Sequence, residues 1–149
     1  MSEVTYSGST LHPFGVSITS DDIVETLGFF DDWEERYRYL IDLGKELPEM
    51  PAEKQTDDHL IRGCQSKVWL HHQFHDGKFW FEADSDAFIV KGLLALLLAA
   101  FNGKSSEEIL GFDIDAYFDS LDLMNHLTPT RGNGLRAMVG RIREIASPH

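Results

Sequence analysis

The single cysteine of the chain, Cys64, is the residue with the most distinctive chemistry. A lone thiol is either buried packing material or a reactive group. It follows Gly63, which permits a tight turn, and precedes the polar pair Gln65-Ser66, so we expect it at a loop tip before a strand that starts near Lys67. Arg62 and Lys67 carry the positive charge that favours a thiolate. The sequence therefore favours a reactive Cys64.

A second candidate group lies in the segment 126–134, where a helix is predicted to begin. Thr128 has the type of an N-terminal cap and Pro129 that of a first helical residue. Arg131 then stands in the first turn, where a cation opposes the helix dipole by up to about 1 kcal/mol. Two compensations stay open, a surface ion pair with an acid and a role beside the thiol. His126, just before this helix, is a possible base.

Three histidines of the following strand, His71, His72 and His75, raise the question of a metal site. Side chains alternate along a strand, so His72 points away from the other two. His71 opposite Glu82 requires only a cross-strand ion pair, and no further cysteine or carboxylate spacing is typical of zinc. We therefore expect no metal site here.

A β-hairpin is predicted to position these groups. Asp76-Gly77 is typical of a two-residue type I′ turn, in which both central residues have positive φ, between strands 67–75 and 78–83. The turn fixes the register. The expected core face pairs Phe74 with Phe79, His72 with Phe81 and Leu70 with Ala83; the other face pairs Gln73 with Trp80, His71 with Glu82 and Trp69 with Asp84.

Helical patterns surround the hairpin and indicate an α+β fold, a small antiparallel sheet packed by helices. The central helix is predicted over 87–101, apolar almost all round, with Lys91 as the one charge that requires a partner. The other predicted boundaries are caps at Thr19, at Asp31 or Asp32, at Asp84-Ser85-Asp86, at Ser105, at Asp113 and at Thr128, and stops at Gly28, Gly44 and Asn102-Gly103.

The composition limits the class of protein. With 149 residues, of which 42% are hydrophobic, the sequence predicts one domain over 1–149, with 1–11 flexible. The formal net charge of −12 argues against nucleic-acid and anionic-lipid partners. The most apolar run, 93–101, is far shorter than the roughly 20 residues of a membrane helix. The N-terminus has no apolar signal region, so the cytoplasm is the expected compartment.

Three segments together resemble the SufE family of sulfur acceptors, and order and spacing agree over about 33–146. The N-terminal His12-Pro13-Phe14-Gly15 is similar to the CsdE branch of that family. The most specific part is the glycine-cysteine motif. The matching segments are Gly63-Cys64-Gln65-Ser66-Lys67-Val68-Trp69, then Asp84-Ser85-Asp86 with Ile89-Val90-Lys91-Gly92-Leu93, and His126-Leu127-Thr128-Pro129-Thr130-Arg131 with Gly134-Leu135.

The resemblance implies a fold shared with the iron–sulfur scaffold family (SufE/IscU-like) and a function that composition does not indicate. Cys64 would accept a persulfide sulfur from a cysteine desulfurase and stimulate that enzyme. Pyridoxal phosphate (PLP) would be held by the desulfurase, and no cofactor by this chain. The sulfur would pass to iron–sulfur cluster assembly, and the CsdE branch is also linked to a ubiquitin-activating-like tRNA-modifying enzyme.

On this reading we expect Arg131 and His126 near Cys64, where they would stabilise the thiolate or the persulfide. The remaining expected site residues form a partner-binding set. Gln65 and Ser66 would offer hydrogen bonds, and Lys67 would contact the partner. Asp84 and Asp86 would be anionic helix caps that restrain ionisation of the thiol until the partner binds.

Two other classes stay open. An iron–sulfur scaffold is compatible with the implied fold, although clusters take several cysteine ligands and the chain has one. A cysteine hydrolase would use His126 as its base, although no further nucleophile motif accompanies Cys64.

Overall fold

The structure is a computed structural model that describes residues 12–61, 63 and 66–147. The segment 1–11, which we expected to be flexible, lies outside this part of the chain. The described residues form an α+β fold with one two-stranded antiparallel sheet and six α-helices, as the sequence predicts. In chain order these are α1 (Ser20–Leu27), α2 (Trp33–Gly44), β1 (Val68–His75), β2 (Lys78–Ser85), α3 (Phe88–Phe101), α4 (Ser106–Gly111), α5 (Ile114–Leu121) and α6 (Pro129–Ala146). Short 3-10 turns occur at Ala52–Lys54, Asp57–His59 and Met124–His126.

The hairpin forms in the predicted register. Asp76 and Gly77 both have positive φ, 55° and 77°, and every predicted cross-strand pair is present, from His75 opposite Lys78 to Trp69 opposite Asp84. The expected core face is buried only at the open end of the hairpin, around Val68, Leu70, Phe81 and Ala83. Near the turn it is in solvent, where Phe74 is 61% exposed. The hairpin tip therefore extends beyond the helices that cover its base.

The apolar helix α3 is the centre of the core, as predicted. Eleven of its residues are buried, and it packs against α2 and β2. Gly44 is the last residue of α2 and the C-cap is Lys45, so the prediction of Gly44 as the cap is wrong. A Cβ on Gly92 would stand 2.3 Å from the Leu40 carbonyl oxygen, and one on Gly44 2.7 Å from the Gly92 nitrogen. Both glycines are therefore required by the close approach of two helix backbones.

Most predicted helix ends are confirmed. Thr19 and Asp22 form a capping box for α1, and Gly28 is its C-cap. Asp32 caps α2, and Gly103, with φ of 73°, follows α3. None of the helices in the described ranges has both the length and the apolar content to cross a bilayer.

The cap predicted for α3 is wrong. Its N-cap is Ala87, which makes no side-chain capping bond, and neither Asp84 nor Asp86 caps the helix. Their carboxylates instead accept hydrogen bonds from backbone N–H groups of other segments. The sequence resembles a cap here because aspartate and serine are typical both of helix N-caps and of side chains that bond to the backbone of other segments.

The two outer edges of the hairpin are covered differently. On β2, the Asn102 side chain accepts from the Phe81 N–H at 2.6 Å, and the His12 ring lies 2.8 Å from the Phe81 carbonyl. Burial lowers the pKa of His12. On β1, the N–H of Ile61 donates to the carbonyl of Val68 at 2.8 Å, and Leu60 bridges Trp69. The chain that enters the cysteine loop is thus paired with β1.

Candidate functional site

Cys64, Gln65 and Arg62 lie outside the described residues, so the expected roles of Cys64 and Gln65 remain predictions. The described residues on either side of Cys64 locate the ends of its loop. Gly63 has φ of 90°, a conformation that favours glycine. A Cβ on Gly63 would lie 3.3 Å from the Cβ of Ala137 in α6. The chain therefore reaches the cysteine in contact with the C-terminal helix.

Ser66, on the other side of the cysteine, lines a small cleft with space of about 40 Å³, enough for one to a few water molecules. The start of α6 forms one wall of this cleft and includes Arg131. Val68 and Val90 contribute apolar side chains from β1 and α3. The full lining is Ser66, Val68, Val90, Thr128, Thr130, Arg131, Gly134 and Met138. The structure thus brings together Ser66 and Arg131, two of the predicted site residues.

Arg131 is partly buried in the first turn of α6, where Thr128 is the N-cap and accepts a hydrogen bond from the Arg131 N–H. Within the described ranges no carboxylate lies within 4 Å of its guanidinium, so the surface ion pair that would offset the helix dipole is not found there. Arg131 also lines a second groove, together with Tyr37, Ile89 and His126. Its positive charge therefore borders both concavities.

His126 is held in the turn segment, residues 122–131, by side chains of α2. Its ring stacks on Trp33 with a centroid distance of 4.2 Å and an interplanar angle of 15°. Its Nδ1 lies 2.9 Å from the Asp122 carbonyl oxygen, which can only accept, so Nδ1 carries a proton. The Tyr37 hydroxyl donates to the His126 carbonyl. His126 shares the groove with Arg131 and is not part of the Ser66 cleft.

Lys67 and Asp86 are both exposed, and two hydrogen bonds join them. The Lys67 N–H donates to Asp86 Oδ1 at 3.2 Å, and the Asp86 N–H donates to the Lys67 carbonyl at 3.3 Å. This pair fixes the chain as it leaves the cysteine loop. Phe88, two residues further on, is 76% exposed, an unusual position for a large apolar side chain.

Asp84 is buried, with 4% of its surface exposed. Its carboxylate accepts from the N–H groups of Met50 and Ser85 at 2.9 and 2.8 Å, and lies 3.4 Å from Lys91 Nζ. Lys91 therefore has the partner that its place in an apolar helix requires. A carboxylate that is so engaged leaves almost no surface for a partner protein.

A group of polar side chains, of which only the pair His71 and Glu82 was expected, holds the lead-in segment, residues 57–61, against β1. His59 Nε2 lies 3.1 Å from His71 Nδ1. Lys54 Nζ pairs with Glu82 Oε1 at 2.7 Å, and that oxygen is 3.9 Å from His71 Nε2. Burial and then the Lys54 ammonium lower the pKa of His71. In the part of the chain that the structure describes, no group of three His, Cys, Asp or Glu side chains is arranged to hold a metal ion.

The two pairs of side chains that hold the turn segment and the lead-in segment were not predicted from the sequence. Trp33 and Tyr37 are four residues apart on one helix face, a spacing that could have pointed to a common target. The pairing of His59 with His71 had no such signal, because it depends on the path of the loop between them.

Comparison with known proteins agrees with this architecture. Residues 21–146 match the SufE family model, described as an Fe-S metabolism associated domain. An uncharacterised SufE-like protein of Rhizobium etli is 48% identical over 130 residues, which cover 85% of this chain and 88% of that protein. A second one, of Rhizobium meliloti, is 45% identical over 130 residues, covering 85% and 93%.

Among solved structures, the solution structure of a hypothetical protein from Thermus thermophilus matches with a TM-score of 0.69. The match covers 85% of this chain and 92% of that one at 22% identity, so it bears on the fold alone. The family match spans most of the chain and includes every residue assigned to the cleft and the groove. The chain therefore belongs to the SufE family.

Proposed function

We propose that the chain is a sulfur carrier that accepts a persulfide sulfur on Cys64 from a PLP-dependent cysteine desulfurase and stimulates that enzyme. Membership of a family associated with Fe–S metabolism supports this role. The single observation that carries it in the structure is the cleft shared by Ser66 and Arg131, because Ser66 is two residues from the only thiol of the chain.

The transfer is a thiol exchange. The Cys64 thiolate attacks the terminal sulfur of the donor persulfide, a new S–S bond forms at Cys64, and the donor S–S bond breaks. The donor cysteine leaves as a thiolate, so no net oxidant is needed. Arg131 is the described cation at the cleft, and a nearby cation favours the thiolate over the thiol. Ser66 offers a hydroxyl to the same space.

The desulfurase docks, in this proposal, on the exposed surface that follows the cysteine loop. Lys67 and Asp86 are exposed there, and Phe88, two residues after Asp86, adds a large exposed apolar side chain. We further propose that the chain belongs to the CsdE-like branch, works in the cytoplasm, and delivers sulfur to iron–sulfur cluster assembly or to a tRNA-modifying enzyme of the ubiquitin-activating type. His12-Pro13-Phe14-Gly15 is the feature that supports the branch.

His126 has less support as a base. Its ring is stacked on Trp33 and lines the groove with Tyr37, outside the cleft that Ser66 lines. We therefore assign it to positioning the turn segment, which also weakens the cysteine-hydrolase alternative.

The test is to incubate the protein with a cysteine desulfurase, PLP and cysteine, and to measure its intact mass. We expect a gain of one sulfur atom that a reducing agent removes and that Cys64→Ser abolishes. Absence of the gain with every desulfurase tried would overturn the proposal.

Arg131→Ala should slow sulfur acceptance about tenfold, the effect of one pKa unit on the thiolate population. Arg136→Ala is the matched control, since Arg136 lies on the same helix and pairs with Asp115 at the surface at 2.9 Å. Equal rates for the two variants would remove the role of Arg131.

A further inference from the structure

Two histidines outside the cleft and the groove bring ring nitrogens close together. His59 belongs to the turn Asp57–His59, and His71 lies in β1. His59 Nε2 lies 3.1 Å from His71 Nδ1, and the two rings meet edge to face with centroids 4.8 Å apart. In the chain alone, one proton between these nitrogens makes the contact a hydrogen bond. A cation in place of that proton would have two imidazole ligands from two different segments.

The separation of the two nitrogens suits a shared metal ion. Zinc binds histidine nitrogen at about 2.1 Å, so an ion at that distance from both atoms would subtend an angle of about 95° at their 3.1 Å separation. This angle lies between the octahedral and the tetrahedral value. The centroids are closer than they would be if each nitrogen pointed straight at the other. At least one ring is therefore already inclined to the line between the two atoms, as a shared ion requires.

The second nitrogen of each ring faces an acceptor, which is typical of metal-binding histidines. His59 Nδ1 lies 2.8 Å from the Lys54 carbonyl oxygen, which can only accept, so in neutral His59 the lone pair is on Nε2. His71 Nε2 lies 3.9 Å from Glu82 Oε1. With its proton on Nε2, His71 presents the lone pair of Nδ1. Metal binding therefore needs a change of tautomer in His71 and no loss of a proton from the neutral pair.

The surroundings of the pair are compatible with a bound cation. Burial and then the Lys54 ammonium lower the pKa of His71, so its ring is uncharged at neutral pH, as a ligand must be. The Lys54 ammonium is itself paired with Glu82 Oε1 at 2.7 Å, which offsets its charge. The turn Asp57–His59 adds two carboxylates. The His71 side chain is 24% exposed, so water reaches the pair.

We propose that His59 Nε2 and His71 Nδ1 bind one divalent cation of the Zn²⁺ class, to which imidazole is a suitable ligand, with water in the remaining positions. No third His, Cys, Asp or Glu in the described ranges completes the ligand set, so the ion is held more weakly than in a structural zinc centre. The inference is independent of the proposed function, because neither histidine lines the cleft or the groove.

Zinc titration calorimetry tests the site, with wild type and Cys64→Ser side by side because a thiolate is itself a zinc ligand. In both chains we expect a site with a dissociation constant on the order of 10 µM, since two ligands supply roughly half the binding free energy of a four-ligand structural site. In the Cys64→Ser chain, His59→Gln and His71→Gln should each weaken binding at least about tenfold. The matched control is His72→Gln, which removes a histidine from the opposite face of β1 and should keep the affinity.

Histidine side-chain NMR gives a second readout that a purely structural role would not move. On addition of zinc, the ring nitrogens of His59 and His71 should shift, and the proton of His71 should pass from Nδ1 to Nε2, while His72 stays unchanged.

The proposal is overturned if no binding is found, if binding survives His59→Gln, if Cys64→Ser abolishes it, or if the resonances of His59 and His71 do not move. No desulfurase is present in these experiments. A chain that fails to accept sulfur can therefore still bind the ion, and the two proposals fail separately.

Discussion

The turn segment and the lead-in segment are held by different kinds of interaction. The turn segment, which carries Arg131, is fixed by aromatic contacts, with His126 stacked on Trp33 and bonded by Tyr37. The lead-in segment, on the other side of the cysteine loop, is fixed by polar contacts, including the bond between His59 and His71. Stacking is insensitive to salt, whereas charges and titrating rings respond to the solution. The contacts that hold the turn segment should therefore depend little on salt, whereas those that hold the lead-in segment should respond to the solution.

The largest loss of stability should come from a change at Asp84, a buried polar residue of β2. Asp84→Ala removes the acceptor for the Met50 N–H and leaves Lys91 without its partner inside the protein. Breaking a buried pair on one side costs about 3 kcal/mol or more, and we expect that fall in the free energy of unfolding from urea denaturation. Asp86→Ala, whose exposed carboxylate accepts from one backbone N–H, is the control and should lose about 1 kcal/mol or less. Similar losses would show that burial is not the cause.

The next largest loss of stability should come from a change at Trp33, which holds the turn segment. Trp33→Ala removes the stack on His126 and the contact with Arg36, whose guanidinium carbon lies 5.4 Å from the ring. We expect a loss of about 2 kcal/mol, less than for a fully buried tryptophan, and the same loss at low and high salt. Thermal or urea unfolding measures both. Trp33→Phe should recover part of the loss. A loss that shrinks in salt would show that charge, and not aromatic packing, holds the turn segment.

The smallest effect is a dependence of stability on pH, which should arise from His12, bonded to β2, and from His71 in β1. Burial lowers the pKa of both His12 and His71, so the folded state binds fewer protons than the unfolded chain. Their contribution to stability is therefore present above the ordinary histidine value, about 6.5, and is lost as the pH falls below it. The urea midpoint should decrease between about pH 7.5 and pH 5.5. His12→Gln should reduce this decrease, while Trp33→Phe should keep it; a midpoint that rises in acid would contradict the assignment.

The sequence predicted the parts of the fold that depend on local chemistry. Asp76-Gly77 determines its own turn, and the turn determines the register of all the strand pairs. Arg131 was singled out by its place in the first turn of a helix, and a role for Ser66 came with the resemblance to the SufE family; that both lie beside the thiol stays a prediction. Asp84 was misjudged because its main acceptor role is toward Met50, 34 residues away. Gly44 was misjudged because a glycine at a helix end serves equally as a cap or as a contact for another backbone.

The glycine contact between α2 and α3 has a consequence for how the cleft can change shape. A Cβ on Gly92 would stand 2.3 Å from the Leu40 carbonyl oxygen, so the two helices touch without an intervening side chain. α2 carries Tyr37, which holds the turn segment, and α3 carries Val90, which lines the cleft. Because close packing of two helix backbones resists sliding, we expect Tyr37 and Val90 to keep their relative positions. The lining residues outside this contact include Ser66 and Val68 on one side and Gly134 and Met138 of α6 on the other, so we expect a donor sulfur that enters the cleft to displace these.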